Sequence, residues 1–434
     1  MRNLYTTLLV VIFGFSVQSQ ELLSLEDAVK IALENNYDIK IAKNNSKIDI
    51  TNNNLANAGI LPSLNANLTN NNTQIDIKQT QVGGTIRALD GAVNFNLNYG
   101  VSLDWTIFDG LSMFARKEQL KVLEEQGKFE LQSAILTTIS DVYSNYFDLV
   151  QQQKIIASID TAIVLSNQRL LTAQNRFSIG KAAKLEVLNA QVDLNSDMSL
   201  LLRQKESYKN AKVRLNQILG RNLHIDFQVN AAISFEEEII LNEIIETANK
   251  QNPQLQTQIL SKKIADLNLK QVKGNRYPLV RITSGYNISR SETPLGFIVQ
   301  SSAQGFVYGI TATVPIFNGF LQSKNERVAT FQVDNSNLQI EQQKIAIETQ
   351  IITLFNSYQT NIELVKVEEK NVEIAKQNLD ITLAKFKIGT INTIEFRTAQ
   401  QNYVEAVVRY SNAQYVTKLS EINLKELAGT LKLN

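Results

Sequence analysis

The sequence predicts an α + β membrane protein made of two tandem structural repeats, each of which supplies long helices and one β-hairpin. Three observations predict this fold class. The 434 residues include only 5 prolines, and residues 111–252 and 316–434 contain none, so few positions force a helix to end. Two regions of strict apolar–polar alternation predict strands. The same short motifs also recur at a constant separation along the chain, which indicates an internal duplication.

The composition excludes several classes of function. Lys and Arg number 43 against 42 Asp and Glu, so no net field attracts nucleic acid to the chain. The absence of Cys excludes disulfides and thiol chemistry, and the single histidine, His224, excludes a multi-histidine metal centre. We therefore expect no cofactor, no metal and no nucleic-acid partner. Because the sequence also has no phosphate-binding loop, an enzyme is the least favoured class.

The first 19 residues have the pattern of a secretory signal peptide. Met1 and Arg2 precede an apolar run at 8–13, and small and polar residues follow at 16–19. The apolar run is shorter than the ~20 residues that a membrane-spanning helix needs. No later stretch of the sequence is long and apolar enough to span a bilayer as a helix. The sequence thus predicts an exported protein that can enter a membrane only through its strands.

The duplication is visible as two motifs that each occur twice. Ile-Phe-Asp-Gly at 107–110 returns as Ile-Phe-Asn-Gly at 316–319, which is 209 positions later. At the same separation, Arg-Phe-Ser-Ile-Gly at 176–180 returns as Lys-Phe-Lys-Ile-Gly at 385–389. A tandem duplication implies that both halves contain the same elements in the same order. The predicted repeats are 20–224 and 225–434.

Each repeat contains one predicted β-hairpin. Apolar and polar residues alternate without interruption from Val93 to Ile107, which predicts a strand with two chemically different faces. A weaker alternation begins after Pro62, and the second repeat has the same two patterns. The hairpins are predicted at about 62–107 and 278–317. Their connecting loops are predicted in the Asn-, Gly- and Ser-containing segments 70–92 and 290–304.

The proline-free stretches predict unusually long helices. They are rich in Leu, Ile, Ala, Gln, Lys and Glu, and their apolar residues recur three and four positions apart. A helix over 111–179 is about 104 Å long, and two shorter helices of the same repeat have the combined length to return beside it. The predicted helices are 37–61, 111–179, 184–219, 254–277, 320–388 and 390–428.

Four strands with one apolar face and two open edges cannot cross a bilayer, because unpaired backbone groups find no partner there. Several copies of the chain must therefore share one closed barrel. Two copies give about eight strands, too few for a wide conduit, whereas three give twelve. In such a barrel Val93, Phe95 and Leu97 face lipid, and the Asn-rich face lines water. A soluble β-sandwich is the alternative, but it does not explain long helices joined directly to the strands.

Short motifs along the chain point to a known family. They are Leu-Glu-Asp-Ala-Val at 25–29, Asn-Asn-Tyr at 35–37, Trp-Thr-Ile-Phe-Asp-Gly at 105–110, Val-Pro-Ile-Phe-Asn-Gly at 314–319 and the two tip sequences that end at Gly180 and Gly389. In this duplicated order the chain resembles the TolC-like outer-membrane efflux proteins over essentially its whole length. The resemblance implies a homotrimer with one 12-stranded β-barrel, four strands per chain, in outer-membrane lipid. It also implies a continuous, long periplasmic α-helical barrel.

The resemblance implies a function as an exit duct that docks with a periplasmic adaptor and an inner-membrane transporter. In this family the helical tips form the docking end and the closed periplasmic entrance. The tip residues are Arg176, Phe177, Gly180, Lys385, Phe386 and Gly389. The acidic residues that would narrow the pore, six positions after each tip glycine, are Glu186 and Glu395. The strand-to-helix junctions comprise Asp109, Gly110, Asn318 and Gly319.

The candidate pore residues depart from the family pattern in two ways. The family commonly has Asp at these positions, and a second acid seen three residues later in some members is replaced by Asn189 and Thr398. Arg397, beside Glu395, is expected to neutralise part of the ring of carboxylates. For Glu186 and Glu395 the alternative interpretation is a solvated helix face, the usual position of a lone acid.

Two alternatives compete with a trimeric exit duct. A free-standing porin would lack long helices and would conduct steadily. A periplasmic coiled-coil adaptor or scaffold would usually have one helical hairpin flanked by soluble β-domains. Neither the cargo nor the class of partner pump follows from the sequence, because a passive duct takes its specificity from the pump.

Overall fold

The computed structural model describes residues 21–229, 232–236, 238–294 and 298–431. The predicted signal peptide at 1–19 lies outside these residues. Within them the chain forms eight helices and six strands. In chain order they are β1 (Glu21–Leu23), α1 (Leu25–Asn35), α2 (Tyr37–Asn52), β2 (Ser63–Thr80), β3 (Ile86–Asp109), α3 (Ser112–Ser178), α4 (Lys184–Ile218), β4 (Phe227–Val229), α5 (Leu241–Gln251), α6 (Pro253–Gly274), β5 (Leu279–Glu292), β6 (Gln300–Thr313), α7 (Leu321–Ile388) and α8 (Thr393–Ala428).

The chain divides into two compact units. Among the described residues, the first unit comprises those within 21–39, 135–246 and 350–431, and the second those within 40–134 and 247–349. The long helices α3 and α7 each contribute residues to both units. Among the described helices, none combines the length and the apolar composition that crossing a membrane requires.

The second unit contains an antiparallel sheet in the order β2-β3-β5-β6. In its centre, Val101 lies opposite Ala66 on one side and Tyr286 on the other, and Tyr286 lies opposite Phe306. Residues directly opposite each other share a face, so the apolar side chains of all four strands gather on one side. The next row, on the other face, contains Asn67, Gly100, Asn287 and Gly305.

The first hairpin is longer than predicted, and the loop expected at 70–92 is wrong. β2 continues to Thr80 and β3 begins at Ile86, with a register shift between Ile75 and Ile77. The run of asparagines at 70–72 suggested a turn, but Asn71 pairs with Asn96 in the middle of the ladder. Because the strand partners satisfy the backbone, the turn preference of Asn does not end the strand.

The loop expected at 290–304 is also too long, since β5 reaches Glu292 and β6 begins at Gln300. β6 ends at Thr313, before Pro315, which has no N–H to donate to a ladder.

Several helices are shorter than predicted, and at two of them polar side chains set the end. The helix expected over 37–61 ends at Asn52. Beyond it, the Asn54 side chain accepts a hydrogen bond of 2.8 Å from the Asn57 backbone, and such local bonds compete with a helix. α8 begins at Thr393 rather than 390 because Asn392 caps it. α6 ends at Gly274, three residues before the expected 277.

The first unit has a core in which α1, α3, α4 and the parallel pair β1–β4 meet. Leu23 lies opposite Val229 in that pair, and the Tyr146 hydroxyl donates a 2.9 Å hydrogen bond to the Leu23 carbonyl. Leu149 and Leu215 are fully buried in the same cluster. In this unit α3 continues to α4, and α7 to α8, through the turns that contain the predicted tip residues.

Candidate functional site at the two helical turns

The two turns that join α3 to α4 and α7 to α8 have the same backbone geometry. Gly180 has φ of 72° and Gly389 has φ of 82°, values that L-residues with side chains rarely adopt. The Gly180 N–H donates to the Phe177 carbonyl, and the Gly389 N–H donates to the Phe386 carbonyl, at 3.0 and 3.1 Å. The next N–H along the chain donates to the Arg176 carbonyl in the first turn and to the Lys385 carbonyl in the second. Each turn is therefore a Schellman motif, in which glycine is strongly favoured at this position.

The aromatic residues of the two tips differ in their surroundings. Phe386 is buried, and its ring stacks on Phe396 with a centroid distance of 5.1 Å. The guanidinium of Arg176 lies 5.4 Å from the Phe386 ring centroid and donates a 3.3 Å hydrogen bond to the Phe386 carbonyl. Phe177, the equivalent residue of the other tip, is exposed. Of the two aromatic tip residues, Phe177 therefore offers the surface that a partner can contact.

Glu186 and Glu395 occupy the same position, in the first turn of α4 and of α8. A carboxylate is favourable there because it faces the positive end of the helix dipole. Glu395 also forms a reciprocal cap with Asn392. Its N–H donates to Asn392 Oδ1, and its Oε1 accepts from Asn392 Nδ2, both at 2.9 Å. Glu186 has no equivalent capping bond, because the residue before α4 is Ala183, whose side chain cannot form a hydrogen bond.

Arg397 does not neutralise Glu395, and that expectation is wrong. Its Nη1 and Nη2 donate to the two carboxylate oxygens of Asp197 at 2.7 and 2.8 Å, and its Nε lies 3.7 Å from Asp193. Residues two positions apart on a helix point in different directions, which separates Arg397 from Glu395. Burial alone would lower the pKa of Arg397, but its bonds to Asp197 and the charges of Asp197 and Asp193 raise it above the usual value.

Arg397 belongs to a buried polar network that joins α3, α4 and α8. Arg169 of α3, which is 1% exposed, forms an ion pair with Asp193. Asp197 also accepts a 2.6 Å hydrogen bond from the Ser166 hydroxyl. Gln400 Nε2 donates to the Ala162 carbonyl at 2.6 Å and to Ser166 Oγ at 2.8 Å. Two arginines and two aspartates thus balance one another inside the helix packing, where unpaired charges would be costly.

Sequence reasoning missed this network, although one signal for it exists. Arg169 occupies a position in the apolar stripe of α3, between Leu165 and Ala173. Asp193 and Asp197 are four residues apart and so lie on one face of α4. A cation inside an apolar stripe requires a buried anion, but the anion's identity depends on which helices are neighbours.

The strand-to-helix junctions lie in the second unit and have a structural role. The Asp109 carboxylate accepts a 3.0 Å hydrogen bond from the Met113 N–H at the start of α3. Gly110 has φ of 69°, and a Cβ there would lie 2.1 Å from the Gly274 carbonyl oxygen. Only glycine therefore fits at this close approach.

The second junction has the same local form. Asn318 Oδ1 accepts a 3.3 Å hydrogen bond from the Gln322 N–H, and Gly319 has φ of 65°. Among the described non-glycine residues, the two with positive φ are Leu111 and Phe320, which follow the two junction glycines. The repeated motifs at 107–110 and 316–319 therefore give the same backbone conformation at both strand-to-helix junctions.

Comparisons with known proteins show similarity to outer membrane efflux proteins and to solved outer-membrane channels. The model of the family "Outer membrane efflux protein" matches residues 28–221 and 244–430. The outer membrane protein TolC of Escherichia coli is 21% identical over 307 residues, which cover 68% of this chain and 62% of TolC's own length. The alkaline protease secretion protein AprF of Pseudomonas aeruginosa is 22% identical over 99% of this chain and 89% of AprF. The Campylobacter jejuni CmeC outer membrane channel superposes with a TM-score of 0.75 and 17% identity, over 94% of this chain and 85% of CmeC.

The chain belongs to the outer membrane efflux protein family. The family assignment confirms the resemblance to TolC-like proteins and the outer-membrane localisation. The structural similarity to CmeC supports the four-stranded sheet and the long helices as the family fold.

Proposed function

We propose that this chain is the outer-membrane exit duct of a tripartite efflux or type I secretion system. Three copies form one duct, which passes small molecules or exported protein from the periplasm or an inner-membrane pump to the exterior. The observation that carries the proposal is a four-stranded sheet with one apolar face and open edges at β2 and β6. The repeats 20–224 and 225–434 each supply two strands and one pair of tip helices to the duct.

The open sheet edges support closure between copies. Within the described sheet, β2 and β6 each have a neighbour on one side only. In a bilayer, the unpaired backbone groups of both edges require partners. Pairing β6 of one copy with β2 of the next supplies them, and three copies close a ring of twelve strands.

The height of the apolar face supports insertion into a membrane. Along β5, the residues of this face run from Val280 to Ile288 and are opposite apolar residues of β3, from Phe108 to Tyr99. Eight residue steps at about 3.4 Å give a stretch about 27 Å long along the strand, and the strand tilt of about 35–45° in membrane barrels makes its height about 19–22 Å. The lipid-facing band of outer-membrane barrels is about 25 Å tall. Beyond Ile288, Arg290 and Glu292 of β5 end the band on that strand.

Crowding on the polar face supports a tightly curved sheet with that face inside. A Cβ at Gly100 would lie 2.3 Å from the Tyr286 carbonyl oxygen, and a Cβ at Gly285 would lie 2.6 Å from the Val101 carbonyl oxygen. Both glycines belong to the face of Asn, Ser and Thr residues. Glycine permits the close approach of neighbouring strands on the inner side of a small barrel.

The exposed helices support lateral contact between copies in the helical part. Exposed apolar residues on α7 recur every seven positions, the spacing of coiled-coil packing. In the first unit they are Val367, Ile374, Ile381 and Ile388, and in the second Phe331, Leu338 and Ile345. Exposed apolar residues with coiled-coil spacing also occur on α4, at Leu185, Leu188 and Val192. A further set lies on α2, at Ile41 and Ile48, and continues after it at Leu55. If α7 of one copy packs on α4 and α2 of the next, the exposed apolar residues of all three helices become buried.

The tip residues are proposed to form the periplasmic entrance of this duct. Glu186 and Glu395 of three copies bring six carboxylates to one constriction, which favours cations. The exposed tip surface around Phe177 and Gly180, with Lys385 and Gly389 of the second turn, is proposed to contact the adaptor. The proposed partners are therefore two further copies of the chain, outer-membrane lipid, a periplasmic adaptor and an inner-membrane transporter. No catalytic step is part of this function.

The names of the relatives support both kinds of transport system. The family is named for efflux, and AprF is named for the secretion of a protease. A passive duct can serve either task, because the partner pump selects the cargo.

The experiment that tests the function is conductance of the protein purified from the outer-membrane fraction and reconstituted in planar bilayers. A duct with a closed entrance should give rare, discrete openings, and replacing Gly180 and Gly389 together should change them without abolishing membrane insertion. Recovery of the protein only from the soluble periplasmic fraction would contradict the proposal. Steady conductance without closures would instead identify a porin.

A further inference from the structure

The first hairpin extends beyond the four-stranded sheet, at the end of β3 that is away from α3. The last residue of β3 that pairs with β5 is Phe95, which lies opposite Glu292. Beyond this pair, residues 73–80 of β2 and 86–94 of β3 pair only with each other within the described sheet. We call this two-stranded segment the outer ribbon. Its seven residue steps along β2, at about 3.4 Å each, make it about 24 Å long.

The polarity of the strand faces inverts where the outer ribbon begins. In the four-stranded sheet, the face that the proposed barrel turns inward is polar, with Asn71 opposite Asn96. Side chains two positions apart on a strand share a face, as do opposed residues. On the outer ribbon the residues of this inward face are apolar, in the opposed pairs Ile75–Ala92 and Ile77–Leu89. Gln79 and Arg87, next to the turn, end the apolar row.

The opposite face of the outer ribbon is mostly polar. On β2 it contains Gln74, Asp76, Lys78 and Thr80, and on β3 it contains Ala88 and, beside the turn, Ile86. In the four-stranded sheet this is the apolar face that the proposed barrel turns to lipid. The inversion therefore indicates that the outer ribbon has left the membrane, with its polar face in water and its apolar face towards the barrel axis.

The apolar face of the outer ribbon is incompletely covered within one chain. Ile75 is 41% exposed and Leu89 is 39% exposed, although Ala92 is buried. An isolated two-stranded hairpin is marginally stable at best in water, and it gains stability when its apolar face packs against another element. The face of Ile75 and Leu89 therefore requires a partner.

A β-bulge lies at the base of the outer ribbon, where the polarity inverts. β3 has one residue more than β2 between the pairs Ile75–Ala92 and Ile77–Leu89. Gly91 lies in this bulge with φ of 68°, and its N–H donates a 2.6 Å hydrogen bond to Asp76 Oδ1. A bulge of this kind bends the strand and increases its twist. The outer ribbon therefore has a built-in change of direction where it leaves the sheet.

The proposed ring of three copies supplies the partner. All three sheets turn the same face to one axis, so the three outer ribbons turn Ile75, Ile77 and Leu89 towards one another. Twelve strands about 4.8 Å apart and tilted by about 40° form a barrel with a radius of about 12 Å. The outer ribbon is about twice as long as this radius, so a ribbon that bends inward at its bulge reaches the axis.

We propose that the outer ribbons of three copies pack together through Ile75, Ile77 and Leu89 and close the extracellular mouth of the barrel. This inference rests on the proposed trimeric duct. The partner of each ribbon is the same surface of the two other copies. The contact has apolar side chains at its centre and leaves the charged side chains of Asp76 and Lys78 in water. It excludes external solutes from the lumen at the end opposite the helical tips.

Cross-linking through single cysteines tests the contact, and the absence of native Cys makes the chemistry selective. Ile77→Cys and Leu89→Cys place thiols on the apolar face, and Lys78→Cys places one on the other face of the same ribbon as the matched control. Mild oxidation of outer membranes followed by denaturing gels without reductant measures disulfide-linked dimers. The apolar-face variants should give at least fivefold more linked dimer than Lys78→Cys. Equal yields would show that the ribbons do not meet through this face.

Thiol labelling of intact cells tests the closure. The reagent is a maleimide coupled to a bulky polyethylene glycol chain, which reaches the lumen only through the extracellular mouth. Asn71→Cys places a thiol in the lumen just below the outer ribbon, and Lys78→Cys places one outside it. We expect labelling of Asn71→Cys to be at least tenfold slower than that of Lys78→Cys. Adding Ile77→Asn and Leu89→Asn should remove most of this difference, whereas adding Lys78→Asn to Asn71→Cys should not.

The outcomes separate failure of the closure from failure of the duct. If Asn71→Cys reacts as fast as Lys78→Cys in a trimer with an unaltered apolar face, the mouth is open and the proposed closure is wrong. If Lys78→Cys does not react in intact cells, the outer ribbon is not extracellular, and the proposed outer-membrane duct is wrong as well. Heat-resistant trimers on gels show for each variant that the barrel itself has formed.

Discussion

Arg397 of α8 holds Asp197 of α4 through two hydrogen bonds of 2.7 and 2.8 Å, and it thereby joins two helices whose residues are 200 positions apart in the sequence. Both side chains are largely buried. The bond places a fixed charge pair between the two helical hairpins of the first unit.

A double-mutant cycle on this pair should show strong coupling. Breaking a buried ion pair from one side leaves an uncompensated charge and costs roughly 3–5 kcal/mol. Arg397→Leu and Asp197→Ala should each lower the free energy of unfolding by such an amount, whereas the double variant should lose less than the sum of the two. Urea unfolding in detergent, followed by the helical circular dichroism signal, measures the free energy of unfolding of the two single variants and of the double variant. Additive losses would show that the two side chains do not interact.

The two tip glycines should be required for docking but not for folding. Gly180→Val and Gly389→Val place a β-branched residue at positive φ, which costs about 1–2 kcal/mol per residue. We expect folded trimers that no longer bind the adaptor or support export, measured by co-purification and by export in cells.

The two glycine variants should differ in severity. No described atom lies within 4 Å of a Cβ at Gly180, whereas at Gly389 it meets Arg176. Gly180→Asn, which tolerates the left-handed conformation, is the control and should retain docking. Normal export by Gly180→Val would refute the docking assignment.

Replacing both candidate pore acids should reduce cation preference. Glu186→Gln and Glu395→Gln remove the charge and keep side-chain length, and Gln can still accept the cap bond from Asn392. In planar bilayers we expect lower cation selectivity and weaker block by divalent cations. Because Arg397 is bound to Asp197, each single variant should have part of the effect.

The control for the pore acids is Glu206→Gln, an exposed acid on the same helix as Glu186. It should conduct and select as the parent does. Unchanged selectivity in the double variant would place both glutamates on the outer surface of the helices.

Crowding on the polar face of the sheet makes a prediction about two glycines. Gly100→Ala should make the trimer less resistant to heat, because its Cβ would meet the Tyr286 carbonyl oxygen and such overpacking costs about 1–3 kcal/mol. Gly83→Ala, in the turn between β2 and β3, is the control, since no described atom lies within 4 Å of its Cβ and the turn lies outside the strand edges that neighbouring copies cover. The trimer's dissociation temperature in sodium dodecyl sulfate measures the difference, and equal temperatures for the two variants would argue against a crowded inner face.

The ion pair between Arg276 and Glu326 gives a pH dependence in the second unit. Hydrogen bonds from Arg276 and Gln322 lower the pKa of Glu326. A carboxylate with a lowered folded-state pKa stabilises the protein above its unfolded-state pKa, and that stability is lost as the pH falls through the folded-state pKa. Glu326→Gln should therefore lower the melting temperature at neutral pH. The difference from the parent should shrink as the pH falls below about 4.3, the usual pKa of Glu, and should vanish once the folded-state carboxylate is protonated; a difference that persists in fully protonated protein would show a non-ionic cause.

The sequence predicts well those features that depend on local periodicity. The alternation from Val93 to Ile107 corresponds to a strand because each residue's face is fixed by its neighbours two positions away. Gly180 and Gly389 mark the turns because the backbone there needs a positive φ.

Features that depend on distant partners are predicted poorly. The run of asparagines predicts a loop at Asn71, yet the strand partner Asn96 holds this residue in the sheet. The sequence predicts an effect of Arg397 on its neighbour Glu395, but the packing of α8 against α4 directs the Arg397 side chain to Asp197. Which helices become neighbours is decided by the whole fold, so these pairings cannot be read from one segment.

The number of chains per particle tests the trimeric duct most directly. Native mass spectrometry of protein extracted from the outer membrane in detergent measures that number. Three chains per particle is the result that twelve shared strands predict. Particles of one or two chains that still form channels would contradict closure of a single barrel by three copies.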